Sequence, residues 1–266
     1  MAVDVVVCVK QVLDPEMPPS AFRIDTDNKR FVSPQGIPPV VNGFDENAIE
    51  AALRIKESTG GKVTVVSVGN NFQMDVMKKP LSMGADELIL IQGDEFESMD
   101  SIATAHVLAA ALKKVESYQM VLCGRQASDW DNAQVPLVLA ELLGLPSVTI
   151  AQKIDVGDNE LVTIQRAIQD GYEVIQAELP ILVTVSNELG EPRYPTLRGI
   201  MAATRKTPLI LGISDLDVEE SDLSIKLQIE ELFVPEKVSQ CEMISGDDDS
   251  DAGRKLALKL REEKII

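Results

Sequence analysis

The sequence predicts an α/β fold: a doubly wound, mostly parallel sheet carrying an antiparallel β addition and a carboxyl-terminal arm. Three observations point to it. Short β-branched runs alternate with helical stretches as far as Leu143, the rhythm of a parallel sheet with crossover helices. After Pro146 the rhythm changes to consecutive strands joined by turn signals. Hydrophobic residues make up 45% of the 266 positions but aromatics only 4%, so the core must be built from Val, Ile, Leu and Ala.

Val3 to Val9 is an apolar run suited to a central parallel strand. Lys10 to Val41 holds six prolines and reads as irregular; so long a connection is more often functional than filler. A helix starts near Asp45, with Ile49, Ala52, Leu53 and Lys56 at helical spacing. Lys62 to Val68 is a β-branched strand, and Phe72 to Ser82 a helix whose end Pro80 limits. Glu87 to Ile91 is the third strand. Ser98 or Asp100 caps a helix running to about Val115. Gln119 to Cys123 is the fourth strand, Gly124 to Asn132 a polar loop, and Ala133 to Leu143 a helix stopped by Gly144.

Beyond Pro146, residues 152–155, 161–168 and 172–178 read as strands turning at Asp158-Asn159 and Asp170-Gly171. Pro180 to Val185 is a buried strand. The segment Asn187 to Lys206 then breaks on Gly190, Pro192 and Pro195 before a short helical pattern. Proline bracing makes this loop stiff, so ordering it against a partner costs little entropy. Residues 1–239 form the main domain. From Gln240 the chain reads as an arm, with acidic residues Asp247, Asp248, Asp249 and Asp251 ahead of a helix over 252–264.

The charge balance of 25 basic and 43 acidic residues, net −18, argues against nucleic acid and against an anionic membrane surface. Cys8, Cys123 and Cys241 lie far apart with no metal or redox spacing, and free apolar thiols suit a reducing compartment. With no apolar run of spanning length and no leader pattern, the expectation is a cytoplasmic protein without membrane insertion.

In an open parallel sheet, ligands bind beyond the carboxyl ends of the strands where strand order reverses. The first and fourth strands end there, at Val9-Lys10 and Cys123-Gly124. Gly124 permits close backbone approach, and the following polar residues can serve phosphate and ribose. Asn42 and Gly43 precede a second helix start on the same edge, and Val68-Gly69 ends the second strand there. No G-x-G-x-x-G and no Walker loop occurs, so nucleotide binding does not follow from these residues alone. No nucleophile or acid–base pair stands out. His106, the lone histidine, reads as a core or boundary residue, and Asp129 with Asp131 as ribose or cap contacts.

Several ordered motifs carry a family likeness. They are VVVCVKQVLD (5–14), NGFDENAIEAAL (42–53), VTVVSVG (63–69), MGADELIL (83–90) and LCGRQASDWDNAQVP (122–136). Then come VTIQR (162–166), DGYEV (170–174), ELP (178–180), EPRY (191–194) and Ile200-Met201. Over nearly its whole length the chain resembles the β subunit of electron transfer flavoproteins, whose fold is Rossmann-like and akin to the adenine nucleotide α-hydrolases.

That resemblance implies a heterodimer with an α subunit, carrying electrons from flavin dehydrogenases such as acyl-CoA dehydrogenases to a quinone oxidoreductase or other acceptor. It implies an electron carrier without catalytic residues of its own. The redox FAD is shared with the α subunit, and Val12 to Met17 is the candidate stretch against its ring. A second nucleotide, AMP or a second FAD, lies in this subunit. By position it touches Cys8, Asn42, Gly43, Phe44, Asp45, Val68 and Gly124. It continues along Arg125, Gln126, Ala127, Ser128, Asp129, Trp130, Asp131, Asn132, Ala133, Gln134 and Val135. Two residues depart from the family pattern: Gly43 replaces a usual proline, and Trp130 a small or acidic residue. Trp130 is placed either to stack on adenine or to seal the pocket.

The loop 193–202 corresponds to a recognition loop. Its partner-docking residues are Arg193, Tyr194, Leu197, Ile200 and Met201, with Leu197 the apolar anchor. The rival place for Leu197 is this subunit's own core. The resemblance also makes the arm dock on the α subunit. The alternative reading is a stand-alone adenine-nucleotide sensor of universal-stress type, or a nucleotide-hydrolysing or ligase enzyme; the glycine-rich phosphate loops of both are missing.

Overall fold

The computed structural model describes residues 1–157, 160–235 and 241–266. The expected Asp158-Asn159 turn and the expected boundary at 239/240 lie outside the described residues. Two units are distinguished, Met1–Glu230 and Glu231–Ile266.

The first unit begins with β1 (Val5–Cys8), β2 (Gln11–Val12), β3 (Arg23–Asp25), β4 (Arg30–Val32) and β5 (Val40–Val41). Next come α1 (Gly43–Thr59), β6 (Val63–Gly69), α2 (Met74–Met77), α3 (Lys79–Met83), β7 (Glu87–Gln92), α4 (Ser101–Leu112), β8 (Met120–Gly124) and α5 (Val135–Leu143). It closes with β9 (Ser147–Val156), β10 (Leu161–Ile168), β11 (Gly171–Glu178), β12 (Ile181–Val185), α6 (Leu197–Arg205) and β13 (Leu209–Leu211). The second unit contains α7 (Asp249–Glu262), none of whose residues is buried.

Nine strands form one sheet in the order β11-β10-β9-β12-β8-β1-β6-β7-β13. Among the described residues of this sheet only the β9–β10 and β10–β11 pairings are antiparallel; β12 runs parallel to both β8 and β9. From β1 the chain steps outward through β6 to β7, then returns to place β8 on the other side of β1. Strand order therefore reverses between β1 and β8. Strand alternation splits the core into two layers. Val5, Val7 and Val9 pack with Ala48, Ile49, Ala52 and Leu53 of α1. Val6 and Cys8 face Ala105, Leu108 and Leu112 of α4 and Leu139 of α5. Helices thus cover both faces, as a doubly wound sheet requires.

Several boundaries differ from the sequence reading, each for a local reason. The expected helix over 72–82 is two short helices meeting at Lys78, and Pro80 sits in the first turn of the second, where it lacks no needed N–H. Asp100 rather than Ser98 caps α4, its Oδ1 accepting from the N–H groups of Ile102 and Ala103 at 3.0 and 2.9 Å. The last helix of the first half begins at Val135, because Asp131 and Ala133 take left-handed conformations (φ 51° and 54°). Within the stretch read as irregular, β3 and β4 pair as a hairpin. The edge strand β13 escaped sequence reading: three half-exposed residues between Pro208 and Gly212 carry no alternation.

Candidate functional site

The carboxyl ends of β1 and β8 converge on the first turn of α1. Asp45, buried there, accepts the N–H of Lys10 on Oδ2 at 2.7 Å and that of Gly124 on Oδ1 at 3.1 Å. One carboxyl thus ties together the two strand ends that flank the reversal. Its burial pushes the pKa up to about 7, against the pull of those N–H bonds, of Asn42 and of the Lys10 charge. Gly124 is required by this contact. A Cβ there would lie 2.3 Å from Asp45 Oδ1 and 2.8 Å from the Asp45 backbone nitrogen. Sequence reasoning assigned the close approach of Gly124 to a ligand; the structure shows it made to α1.

Asn42 precedes α1 but does not cap it. Its side chain donates to the carbonyl of Gln126 at 2.8 Å and accepts from the N–H of Ser128 at 3.2 Å, folding the loop after β8 over the helix start. Lys10 Nζ pairs with Asp129 Oδ2 at 2.7 Å, and the Arg125 guanidinium lies 4.7 Å from the centre of the Phe44 ring. Gln126 Nε2 donates to Asp131 Oδ1 at 2.8 Å. Left-handed Asp131 and Ala133 flank Asn132, a costly local geometry of the sort that ligand loops store.

Cys8, Asn42 to Asp45, and Gly124 to Asp129 therefore meet at one sheet edge. Val68, next to last in β6, is half-buried at the same edge. The second half of the loop, Asp131 to Gln134, is exposed, and Val135 opens α5. Among the described residues three buried polar side-chain atoms find no partner within the chain: Ser67 Oγ, Arg125 Nε and Asp129 Oδ1. Two of them belong to this loop. Such groups are costly unless something polar meets them. Cys8 and Cys123 lie side by side in register on β1 and β8, both as free buried thiols. The Cys8 neighbour and burial raise the Cys123 thiol well above its ordinary range, leaving it a poor nucleophile.

Trp130 is 39% exposed and packs tilted (36°) against Phe31 of β4 at 4.9 Å between ring centres, while Phe31 meets Phe22 at 5.6 Å. The β3–β4 hairpin is thereby fastened to the loop. Sequence reasoning missed Phe31 as a partner of this site, and placed Lys10 at this edge without giving it a role. Lys10 lies two residues beyond β1, where the strand's direction carries it to the edge, whereas nothing local in the sequence places Phe31 against Trp130. His106 is a boundary residue, its Nδ1 3.4 Å from Asp222 Oδ1.

The stiff segment after β12 presents its apolar residues outward. Tyr194 is 90% exposed and Leu197 76%, and Ile200 and Met201 are about half exposed, so Leu197 is not part of this chain's core. Thr196 caps α6, accepting from the N–H of Gly199 at 3.0 Å. Gly199 lets α6 close on α3: a Cβ there would lie 2.2 Å from the carbonyl oxygen of Ser82. Arg193 points the other way and is engaged by Glu50 and Glu57 of α1. Among the described residues no helix is long and apolar enough to cross a membrane.

Comparisons with known proteins agree with this architecture. The family described as electron transfer flavoprotein domain matches residues 31–230. The electron transfer flavoprotein subunit beta of Thermoanaerobacterium thermosaccharolyticum is 40% identical over 224 residues, 84% of each chain. That of Clostridium acetobutylicum is 36% identical over 266 residues, 99% of this chain and 100% of the relative. The caffeyl-CoA reductase-Etf complex subunit CarD of Acetobacterium woodii is 36% identical over 266 residues, 98% of this chain and 99% of its own.

Proposed function

The chain belongs to the electron transfer flavoprotein family, among the β subunits, and from that membership we propose that it is half of a heterodimeric electron carrier. With an α subunit it takes electrons from flavin dehydrogenases and passes them to a quinone oxidoreductase or another acceptor. A relative named as part of a caffeyl-CoA reductase complex makes acyl-CoA oxidoreductases the favoured partner class.

The adenine nucleotide, AMP or a second FAD, belongs at the β1/β8 edge. The supporting observation is the pair of unpartnered buried atoms on one loop, the donor Arg125 Nε and the acceptor Asp129 Oδ1. A nucleotide offers both complements: phosphate or base acceptors for the donor, ribose hydroxyls for the acceptor. Phe44, Cys8 and Val68 provide apolar wall. Lys10 holds Asp129 in place, and Asn42 holds the loop backbone, so the loop is held by this chain's own contacts. FAD, when bound against the α subunit, supplies the electron chemistry; this chain's residues bind, orient and exclude water. The exposed face of Tyr194, Leu197, Ile200 and Met201 docks the dehydrogenase, and the carboxyl-terminal arm docks the α subunit.

Identifying the nucleotides released on denaturing the purified two-chain complex tests this. One FAD with AMP marks a carrier with a structural adenylate, and two FAD marks a second redox site. A stable complex that releases no adenine nucleotide beyond the shared FAD would sink the pocket assignment.

A further inference from the structure

Beneath the docking loop lies a buried carboxylate. Glu50 of α1 has a side chain only 6% exposed, and it is met chiefly by Arg193. Arg193 Nε donates to Glu50 Oε2 at 2.7 Å, Nη2 to Oε1 at 3.2 Å, and the Arg193 backbone N–H to Oε2 at 3.2 Å. The outer edge of the same guanidinium pairs with Glu57 through Nη1, and through Nη2 at 3.2 Å. Arg54 completes Glu50 from one turn away at 2.8 Å. Asn47 and Arg54 also donate to the carbonyls of Gly190 and Leu189, at 2.8 and 3.3 Å. Positions 47, 50, 54 and 57 form one stripe of α1, so a single helix face grips residues 189–193 throughout.

We propose that Arg193 is a positioning residue for docking: it locks the 187–199 loop onto α1 so that Tyr194 and Leu197 stand out as a preformed probe. The proposal rests on the docking reading of the Leu197 face. The loop covers Glu50, so lifting the loop takes away Arg193 and leaves the carboxylate with Arg54 of its own helix. Loop opening and the loss of this ion pair are therefore one event. A guanidinium can serve two carboxylates at once in fixed geometry, whereas a lysine ammonium serves them as a mobile point charge. Burial raises the Glu50 pKa, but the bonds from Arg193 and Arg54 outweigh it and hold the carboxyl below its ordinary range. Glu57 is lowered as well, first by its bond from Arg193. A loop held this way surrenders little freedom when a partner arrives.

The test uses the purified two-chain complex with its FAD, an acyl-CoA dehydrogenase as electron donor, and the variants Arg193→Gln, Arg193→Lys and Leu197→Ala. Amide exchange over residues 187–199 and the KM for the complex are measured together. Arg193→Gln is expected to speed exchange and raise KM about tenfold each, with kcat and the flavin spectrum unchanged. Arg193→Lys restores less than half of either effect. Leu197→Ala raises KM without changing exchange. A Leu197→Ala KM equal to wild type overturns the docking reading, and exchange alone then judges the clamp. Exchange in Arg193→Gln no faster than wild type overturns the clamp whatever Leu197→Ala does, as does an unchanged KM beside a raised one for Leu197→Ala. Should Arg193→Gln not fold, Glu57→Gln removes only the exposed half of the clamp. It must then raise exchange about threefold, and failure to do so is equally fatal.

Discussion

Two loops, one after β8 and one after β12, are held by the same helix, and they are built on opposite plans. At the first turn of α1, Asn42 and Asp45 hold the 124–135 loop with hydrogen bonds that turn polar groups inward, leaving Arg125 Nε and Asp129 Oδ1 buried without partners. Farther along, Glu50 and Glu57 hold the 187–199 loop with ion pairs that turn charge inward and Leu197 and Tyr194 outward. A pocket for a polar ligand needs unmet polar groups in a dry place. A docking surface needs unmet apolar groups in a wet one. In each loop the unsatisfied chemistry marks the intended partner, and α1 supplies the rigidity for both.

The largest expected departure concerns Asp45. Its pKa of about 7, against 3.8 for an ordinary Asp, means that the folded protein prefers the neutral acid. The corresponding stability is full below about pH 4 and is lost as pH rises through about 7. A swing of roughly 4 kcal/mol is the upper expectation, since each tenfold change in proton affinity is worth about 1.4 kcal/mol. Thermal unfolding of the complex at pH 5 and pH 8 reads about 3 kcal/mol of it, the rest being lost already between pH 4 and pH 5. Asp45→Asn should flatten the profile. It should be the less stable protein at pH 5, by about 1–2 kcal/mol, because its Nδ2 faces an N–H donor. At pH 8 the order should reverse. An Asn variant whose pH profile parallels wild type would show that Asp45 does not titrate in this range, and the contrast between an inward polar plan and an inward charged one would blur.

Gly124→Ala is next. The new Cβ meets backbone and a buried carboxylate rather than a flexible chain end, so β8 and α1 must separate. About 3 kcal/mol of stability should go, with the bound nucleotide lost in parallel. Full nucleotide content in that variant would mean that the loop does not depend on the β8–α1 contact. Leu197→Ala acts on the other loop. Since Leu197 touches little of its own chain, stability should stay within about 0.5 kcal/mol of wild type. Docking to a dehydrogenase, read as KM, should weaken by about 2 kcal/mol, roughly thirtyfold. A comparable loss of folding stability would instead return Leu197 to the core.

The parallel core was legible because its signal is local. Val5 to Val9 and Met120 to Cys123 are short apolar runs and Val63 to Val68 is largely β-branched, and the site edge follows from where those strands stop. The exposed anchors were legible only through family resemblance, since Leu197 and Ile200 read equally well as core by hydrophobicity. What sequence could not yield are the long-range pairings. Glu50 to Arg193 spans 143 positions, and Lys10 to Asp129 and Phe31 to Trp130 cross comparable distances. No periodicity encodes such partners. Gly43 and Gly124 look alike in sequence, yet a Cβ would meet open space at the first and backbone at the second.

The smallest expected effect decides what Trp130 is for. It is the chain's single tryptophan, expected from its position either to stack on adenine or to seal the pocket, and set by geometry against Phe31. If Phe31 is its real partner, Phe31→Leu removes one aromatic pair worth about 1 kcal/mol and frees the β3–β4 hairpin from the loop. Trp130 emission should then shift to the red, while nucleotide content remains full, because Asn42, Lys10 and Asp45 hold the loop without help from the hairpin. If the indole instead stacks on the ligand, Phe31→Leu leaves emission unchanged and nucleotide removal shifts it. The loop would then be completed by its ligand rather than preformed, and the likeness between two loops each held rigid against one helix would fail at the nucleotide end.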